Sequence, residues 1–385
     1  MKRFLYVIVL IVILLALYLT VSYICHAKET VSSDVSIEQT VNEDLLNDEF
    51  LTEKKGSLKD TVEIVAVGDI MMGTIYPNGE YLPKNNDCSR SFSMVKKYFA
   101  GADIVFGNLE GALTDSRDNA KRCNNPDVCY VFGMPTKFVE CLVDAGFNLL
   151  SLANNHSGDF GEQGRKSTIQ TLQKAGINYA GLTDCPTAEL EIDGIKYGFC
   201  AFAPNIGTID VRNIPAAEAI VKSLKQRCDI VIISFHAGGE GRGAQNVTRQ
   251  SETYIGENRG NVYEFTHKMI DAGADLLLGH GPHVTRAVEI YKNRFIAYSM
   301  GNFSTYSRVN VQGVNGIAPI FRIYTTPKGE FIKAHITPTW QPSEDRTPRL
   351  DKENRVIKVI QNLTKTDFPE QKITIRDDGW IVVSD

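Results

Sequence analysis

Six short strand-like runs, five of them ending abruptly in a polar cluster, constrain this chain more than any other feature of its sequence. Residues 62–67 run into Gly68-Asp69, residues 103–106 into Gly107-Asn108-Leu109-Glu110, and residues 147–152 into Ala153-Asn154-Asn155-His156-Ser157-Gly158-Asp159. Residues 195–202 form a fourth run, residues 229–235 a fifth that ends in His236, and residues 275–278 a sixth that ends in Gly279-His280-Gly281-Pro282-His283. Runs this short, bounded by glycine and rich in branched or aromatic residues, read as buried strands. Helix-like stretches at 92–100, 136–146, 161–175, 216–226 and 262–272 separate them. Alternation of that kind predicts an α/β fold, and open α/β sheets bind ligands at the carboxyl ends of their strands.

The residues at those ends are Asp69, Glu110, Asn155, His156, His236, His280 and His283. If the strands share one sheet, all five loops open on the same edge. Carboxylate, amide oxygen and imidazole together suit borderline divalent ions such as zinc, manganese or iron, one or two of them. Each residue also has a plainer reading. Gly68-Asp69 fits a turn, Glu110 a helix cap, and His236 a structural histidine. The His280/His283 pair is more specific, because a proline-fixed turn aims two imidazoles at one point.

Ahead of this body, Lys2 and Arg3 precede an uncharged apolar run to Ile24, long enough to cross the roughly 30 Å hydrocarbon layer as a helix. It reads as an uncleaved single-pass anchor over residues 4–25, with residues 1–3 cytoplasmic and the body extracytoplasmic. A cleaved signal peptide ending near Ala27 and a lipoprotein cysteine at Cys25 are the competing readings. Residues 26–60 are polar and acidic with little to bury, as in a spacer, and the globular part starts at Thr61. A net charge of -5 gives no reason to expect nucleic acid as a partner.

Taken as a set, Gly68-Asp69-Ile70-Met71-Met72-Gly73, Gly107-Asn108-Leu109-Glu110, Ala153-Asn154-Asn155-His156, His236-Ala237-Gly238-Gly239-Glu240, Gly279-His280-Gly281-Pro282-His283 and Ser299-Met300-Gly301-Asn302-Phe303 resemble the successive motifs of the CapA-type capsule synthesis, or poly-γ-glutamate biosynthesis, proteins. That family is similar in turn to the calcineurin-like metallophosphoesterases. The resemblance implies two packed β-sheets flanked by helices, a four-layer sandwich over residues 61–340, with 341–385 as an extension packed on it. It implies Asp69, Glu110, Asn155, His236, His280 and His283 as metal ligands, Glu110 bridging, and His156 as proton donor or charge stabiliser. Two positions depart from the phosphoesterase pattern. Met71 stands where those enzymes carry a ligand histidine, and the second motif carries Glu110 instead of aspartate.

Glu240, Arg242 and Arg249 lie in a glycine-rich stretch where arginine could clamp a carboxylate, or where the chain is only a solvated loop. Asn302 would support the metal shell or merely end a strand. Cys123 and Cys129 could pair with each other, or one of them with Cys88, whereas Cys141, Cys200 and Cys228 sit in apolar contexts that suit buried thiols. Beyond Phe303, residues 317–324 and 331–337 alternate as strands expected to close the second sheet, residues 350–363 read as helix, and residues 372–383 as extended chain. Two functions follow from the resemblance. One is a membrane-tethered metal-dependent hydrolase acting on an anionic polymer such as poly-γ-glutamate. The other is a noncatalytic accessory subunit that binds nascent polymer or membrane synthase subunits.

Overall fold

The structure, a computed structural model, describes residues 60–123 and 129–384. The expected anchor, nearly all of the spacer and their placement relative to a membrane lie outside those residues. Among the described residues no helix is long and apolar enough to cross a membrane.

Strand Val62–Met71 organises the larger sheet. Nine of its ten residues are buried, because both faces of the sheet are covered, and this is why its sequence runs apolar without a clean alternation. It pairs in parallel with Ile104–Leu109, which pairs in parallel with Leu149–Ser151 and that in turn with Asn178–Ala180. On its other side Ile317–Thr325 runs antiparallel, followed by Phe331–Trp340 and the C-terminal strands Trp380–Val383 and Ile373–Ile375. The two strands expected to close the second sheet therefore belong to the first. Their alternation was read correctly, but period 2 identifies a buried face and not the partner that covers it.

The smaller sheet is ordered Val288–Tyr291, Arg294–Ala297, Leu276–His280, Ile230–His236, Ile195–Phe202, Thr187–Ile192, and its four middle strands are parallel. Inward-facing residues of the two sheets, among them Ile64, Ala66, Phe106, Phe199, Ile232 and Leu278, form one core. The opposite face of the first sheet, through Val65, Val67, Val105 and Leu150, packs on helices Val139–Ala145 and Gly161–Ala175. The opposite face of the second, through Phe202, Ile233 and Leu277, packs on Ile214–Lys225 and Val262–Ala272. Two packed sheets flanked by helices are thus observed as expected.

Residues 92–100 are not an α-helix. Phe92, Val95 and Phe99 are buried at helical spacing, but apart from one i→i+4 bond, from the Lys96 amide to the Phe92 carbonyl, the backbone closes i→i+3 turns, with a 3-10 turn at Lys96–Tyr98. The 350–363 expectation appears as helix Arg355–Asp367, whose Val356, Ile357 and Ile360 enter the core between the sheets. Cys141 is not a free thiol but pairs with Cys88, and Cys123 pairs with Cys129. Cys200 and Cys228 are buried free thiols. An apolar neighbourhood suits a buried disulfide as well as a buried thiol, so sequence could not separate the two.

Candidate metal centre

The strand ends that carry the polar residues do not share one sheet. Asp69, Glu110 and Asn155 lie within or just past the ends of strands of the larger sheet, His236, His280 and His283 at or just past the ends of strands of the smaller, and the ends meet because the sheets pack face to face. Parallel pairing sets the register: Asp69 lies opposite Asn108 and Asn302, and His280 opposite His236. Two glycines let the backbones approach. A Cβ on Gly68 would lie 1.9 Å from the Gly301 carbonyl oxygen, and one on Gly281, whose φ is 113°, would lie 2.7 Å from the Ala237 backbone.

Asp69 sits at the centre of the hydrogen-bond network. Its Oδ1 accepts from Asn108 Nδ2 at 2.8 Å and lies 3.0 Å from His280 Nδ1, while its Oδ2 lies 2.9 Å from His283 Nδ1. A carboxylate on each Nδ1 fixes the tautomer and leaves both Nε2 lone pairs for another partner. Burial opposes the charge on Asp69, but hydrogen bonds from His280 and His283 and their charges outweigh it and hold the carboxyl well below its ordinary range. For His283, burial acts against the proton, yet Glu110, Asp69 and Glu240 push its pKa up to about 10.

One ligand atom each from Glu110, His236 and His283 lies within 4.8 Å of the others, a spacing that could hold a metal ion. Their donors are conspicuously unused. Both ring nitrogens of His236, Nε2 of His280, Oε1 of Glu110 and Oδ1 of Asn155 are buried without a hydrogen-bond partner. Buried polar atoms are normally satisfied, because an orphan costs about 1–3 kcal/mol. Glu110 Oε1 does lie 3.4 Å from His283 Nε2, without hydrogen-bonding geometry. Burial raises the Glu110 pKa well above its usual value, His283 opposes it, and Asp69 and Glu240 add to it. Burial drives the His236 pKa well down. A carboxylate and imidazoles with idle lone pairs fit a borderline divalent ion.

His156 lies beside this set. Its Nδ1 is 2.7 Å from Asp159 Oδ2, its Nε2 is 3.9 Å from Glu110 Oε1, and its ring packs on Phe132 at 4.1 Å between centroids. Burial lowers its pKa, against the pull of Asp159. Asp159 itself is held by Lys121 at 2.6 Å and accepts from the Phe132 amide at 2.8 Å.

The outer residues divide. Asn302 Nδ2 donates to the His283 carbonyl at 3.1 Å, so it braces the histidine loop. Glu240 Oε2 lies 4.0 Å from His283 Nε2. Arg242 is exposed, and Arg249 pairs with Glu370 and stacks over Tyr263 at 4.8 Å, so neither joins the cluster. Met71 is buried, its Sδ accepting from the Gly73 amide. Asn108, Asn154 and Asp159 belong to the strand-end clusters noted in the sequence, which gives them no particular role there, and Arg259 is not among those residues. Asn154 donates to Asn108 Oδ1 and to the Leu109 carbonyl, tying the third loop to the second. A polar residue three positions from His156 in one turn was the available signal for Asp159, and for Arg259 there was none.

A family model described as "Bacterial capsule synthesis protein PGA_cap" matches residues 63–307. The "Capsule biosynthesis protein CapA" of Bacillus anthracis is 26% identical over 263 residues, covering 63% of this chain and 60% of that one. The "PGA biosynthesis protein CapA" of Bacillus subtilis (strain 168) is 29% identical over 262 residues, 63% of each. This chain therefore spans less than two thirds of the length of either relative. A "Probable polyglutamine synthesis accessory protein" of Mycobacterium tuberculosis is 29% identical over 227 residues, 52% of this chain and 55% of that one. Among solved structures, a hypothetical protein from Thermus thermophilus aligns with a TM-score of 0.45 and 15% identity over 73% of this chain and 100% of that one. Purple acid phosphatase PPD1 from yellow lupin aligns with a TM-score of 0.37 and 13% identity over 73% of this chain and 51% of that one.

Proposed function

The chain belongs to the bacterial capsule synthesis protein PGA_cap family, and from that premise we propose that it is a membrane-anchored, extracytoplasmic protein of capsule or poly-γ-glutamate biosynthesis with a divalent-metal-dependent, metallophosphoesterase-type hydrolase centre that acts on an anionic polymer. The observation that carries this reading is the convergence of Glu110, His236 and His283, drawn from both sheets, with buried, unpartnered atoms on Glu110 and His236 and on His280, which shares Asp69 with His283. Folding alone gives no reason to bury an imidazole with an idle lone pair, whereas holding an ion uses that lone pair.

Glu110, His236 and His283 would hold the ion, with Asp69 aligning the imidazoles of His280 and His283, and Asn155 would add an amide oxygen. When bound, a manganese, zinc or iron ion supplies Lewis acidity and makes a water nucleophilic at neutral pH. His156 does the proton work. With Nδ1 committed to Asp159, the neutral ring presents its Nε2 lone pair on the side facing Glu110, and the protonated ring donates from that same atom to a leaving group. Phe132 covers the ring and keeps water from it. Two disulfides suit an oxidising compartment, which supports the extracytoplasmic side.

A second reading, an accessory subunit of a polymer synthase and export complex, is favoured by Met71, a buried thioether where the phosphoesterase pattern has a ligand nitrogen. The test incubates purified metal-loaded protein with poly-γ-glutamate and with simple phosphodiesters. Cleavage that disappears in His156→Ala supports the hydrolase. Full metal loading without turnover, together with capture of synthase subunits, supports the accessory role.

A further inference from the structure

The arginine clamp expected of Arg242 or Arg249 is not where those residues lie, yet a guanidinium does lie beside the centre, bonded to the carboxylate that faces His283. Arg259 is carried by the short hairpin Glu252–Tyr254 and Glu257–Gly260, and it is 4% exposed. The hairpin is tied to the His236 loop, because the Gly238 amide donates to the Arg259 carbonyl at 3.0 Å. Arg259 Nη2 donates to Glu240 Oε1 at 2.8 Å, and the other oxygen of Glu240 lies 4.0 Å from His283 Nε2. Nε is 3.3 Å from Glu257, and the guanidinium lies over the Tyr254 ring at 5.5 Å. Nη1 is buried with no partner at all.

That orphan needs a reason. A guanidinium keeps its charge under any condition the protein meets, so it cannot relieve the cost of burial by losing a proton. Glu240 alone accounts for one of its two terminal nitrogens. The Glu240 carboxylate that holds Arg259 is also the one that faces His283, and the side chains of His283 and Glu240, 20% and 14% exposed, are more open than the buried guanidinium behind them. We propose that Arg259 is a substrate-binding residue whose free Nη1 receives an anionic oxygen, carboxylate or phosphoryl, of the molecule bound at the metal centre. Glu240 then sets the plane of the fork, and Tyr254 supports it from one face. This inference rests on the metal-centre reading above.

The experiment titrates the full chain, in detergent and loaded with manganese, with inorganic phosphate in one arm and acetate in the other, followed by calorimetry. Arg259→Lys should weaken whichever anion binds by about tenfold or more, since an ammonium cannot reproduce the planar fork, while manganese content and melting temperature stay as in the wild type. Glu240→Gln removes the competing negative charge while its amide oxygen can still accept from Nη2, and should leave anion affinity unchanged or tighter. Equal anion affinity in Arg259→Lys, absence of anion binding to the manganese-loaded wild type, or a loss in Glu240→Gln as large as in Arg259→Lys would overturn the inference, the last by showing that the pair is only structural. A wild type that takes up no manganese would instead overturn the metal-centre reading, and this inference with it.

Discussion

His236→Leu should stabilise the metal-free protein and abolish its response to metal. The wild-type ring is 1% exposed, and both of its nitrogens are without partners. Two unsatisfied polar atoms cost about 2–6 kcal/mol together. Leucine occupies a similar volume without polar atoms, and the shape mismatch costs less than about 1.5 kcal/mol. Metal-free His236→Leu should therefore be more stable by about 0.5–6 kcal/mol. Adding an ion at about 100 times its dissociation constant stabilises the wild type by about 2.7 kcal/mol and leaves the variant unmoved. Urea melts with chelator and with manganese read both numbers. A metal-free variant less stable than the wild type by about 1 kcal/mol or more (about twice the scatter of such melts), or an equal metal response in both proteins, would show that His236 is a structural histidine.

The other predictions concern covalent ties, titration and the proton relay. Replacing both Cys88 and Cys141, separated by 53 residues, should cost about 4 kcal/mol, against about 2 kcal/mol for Cys123 and Cys129, separated by 6; denaturant midpoints of the two double alanine variants make the comparison. His283 in the metal-free protein has its pKa raised to about 10. Its contribution to stability is then complete below about pH 6.5 and lost as pH rises toward 10. Metal must displace that proton, so calorimetry in buffers of different ionisation enthalpy should show proton release at about pH 7.5 that is smaller in His283→Asn, where Glu110, its pKa raised by burial, is the remaining ligand with a proton to give up. Asp159→Asn keeps the shape of the side chain but removes the charge that aligns His156, and turnover should fall by about 10²–10⁴-fold with metal content unchanged.

The strand ends were legible because burial on both faces writes a nearly continuous apolar run, and such runs stop where the polar residues begin. Asp69, Glu110, Asn155, His236, His280 and His283 could be collected on that ground alone. What could not be read was how the strands divide. Period 2 marks a buried face equally well in either sheet, so strands Ile317–Thr325 and Phe331–Trp340 were assigned to the wrong one. Distant partners were invisible for the same reason. Cys141 meets Cys88 across 53 residues, and Arg259 reaches Glu240 from a hairpin whose sequence carries no motif. Arg242 and Arg249 had the right chemistry in the right stretch, but a glycine-rich loop leaves its direction open.

The centre itself is most directly tested by crystals grown with manganese and measured for anomalous scattering. The account predicts a single strong peak, or a pair, within ligand distance of Glu110, His236 and His283, and no peak at that place in crystals of Glu110→Ala. Manganese-loaded crystals whose anomalous density lies elsewhere, with the His236 nitrogens still unpartnered, would contradict it.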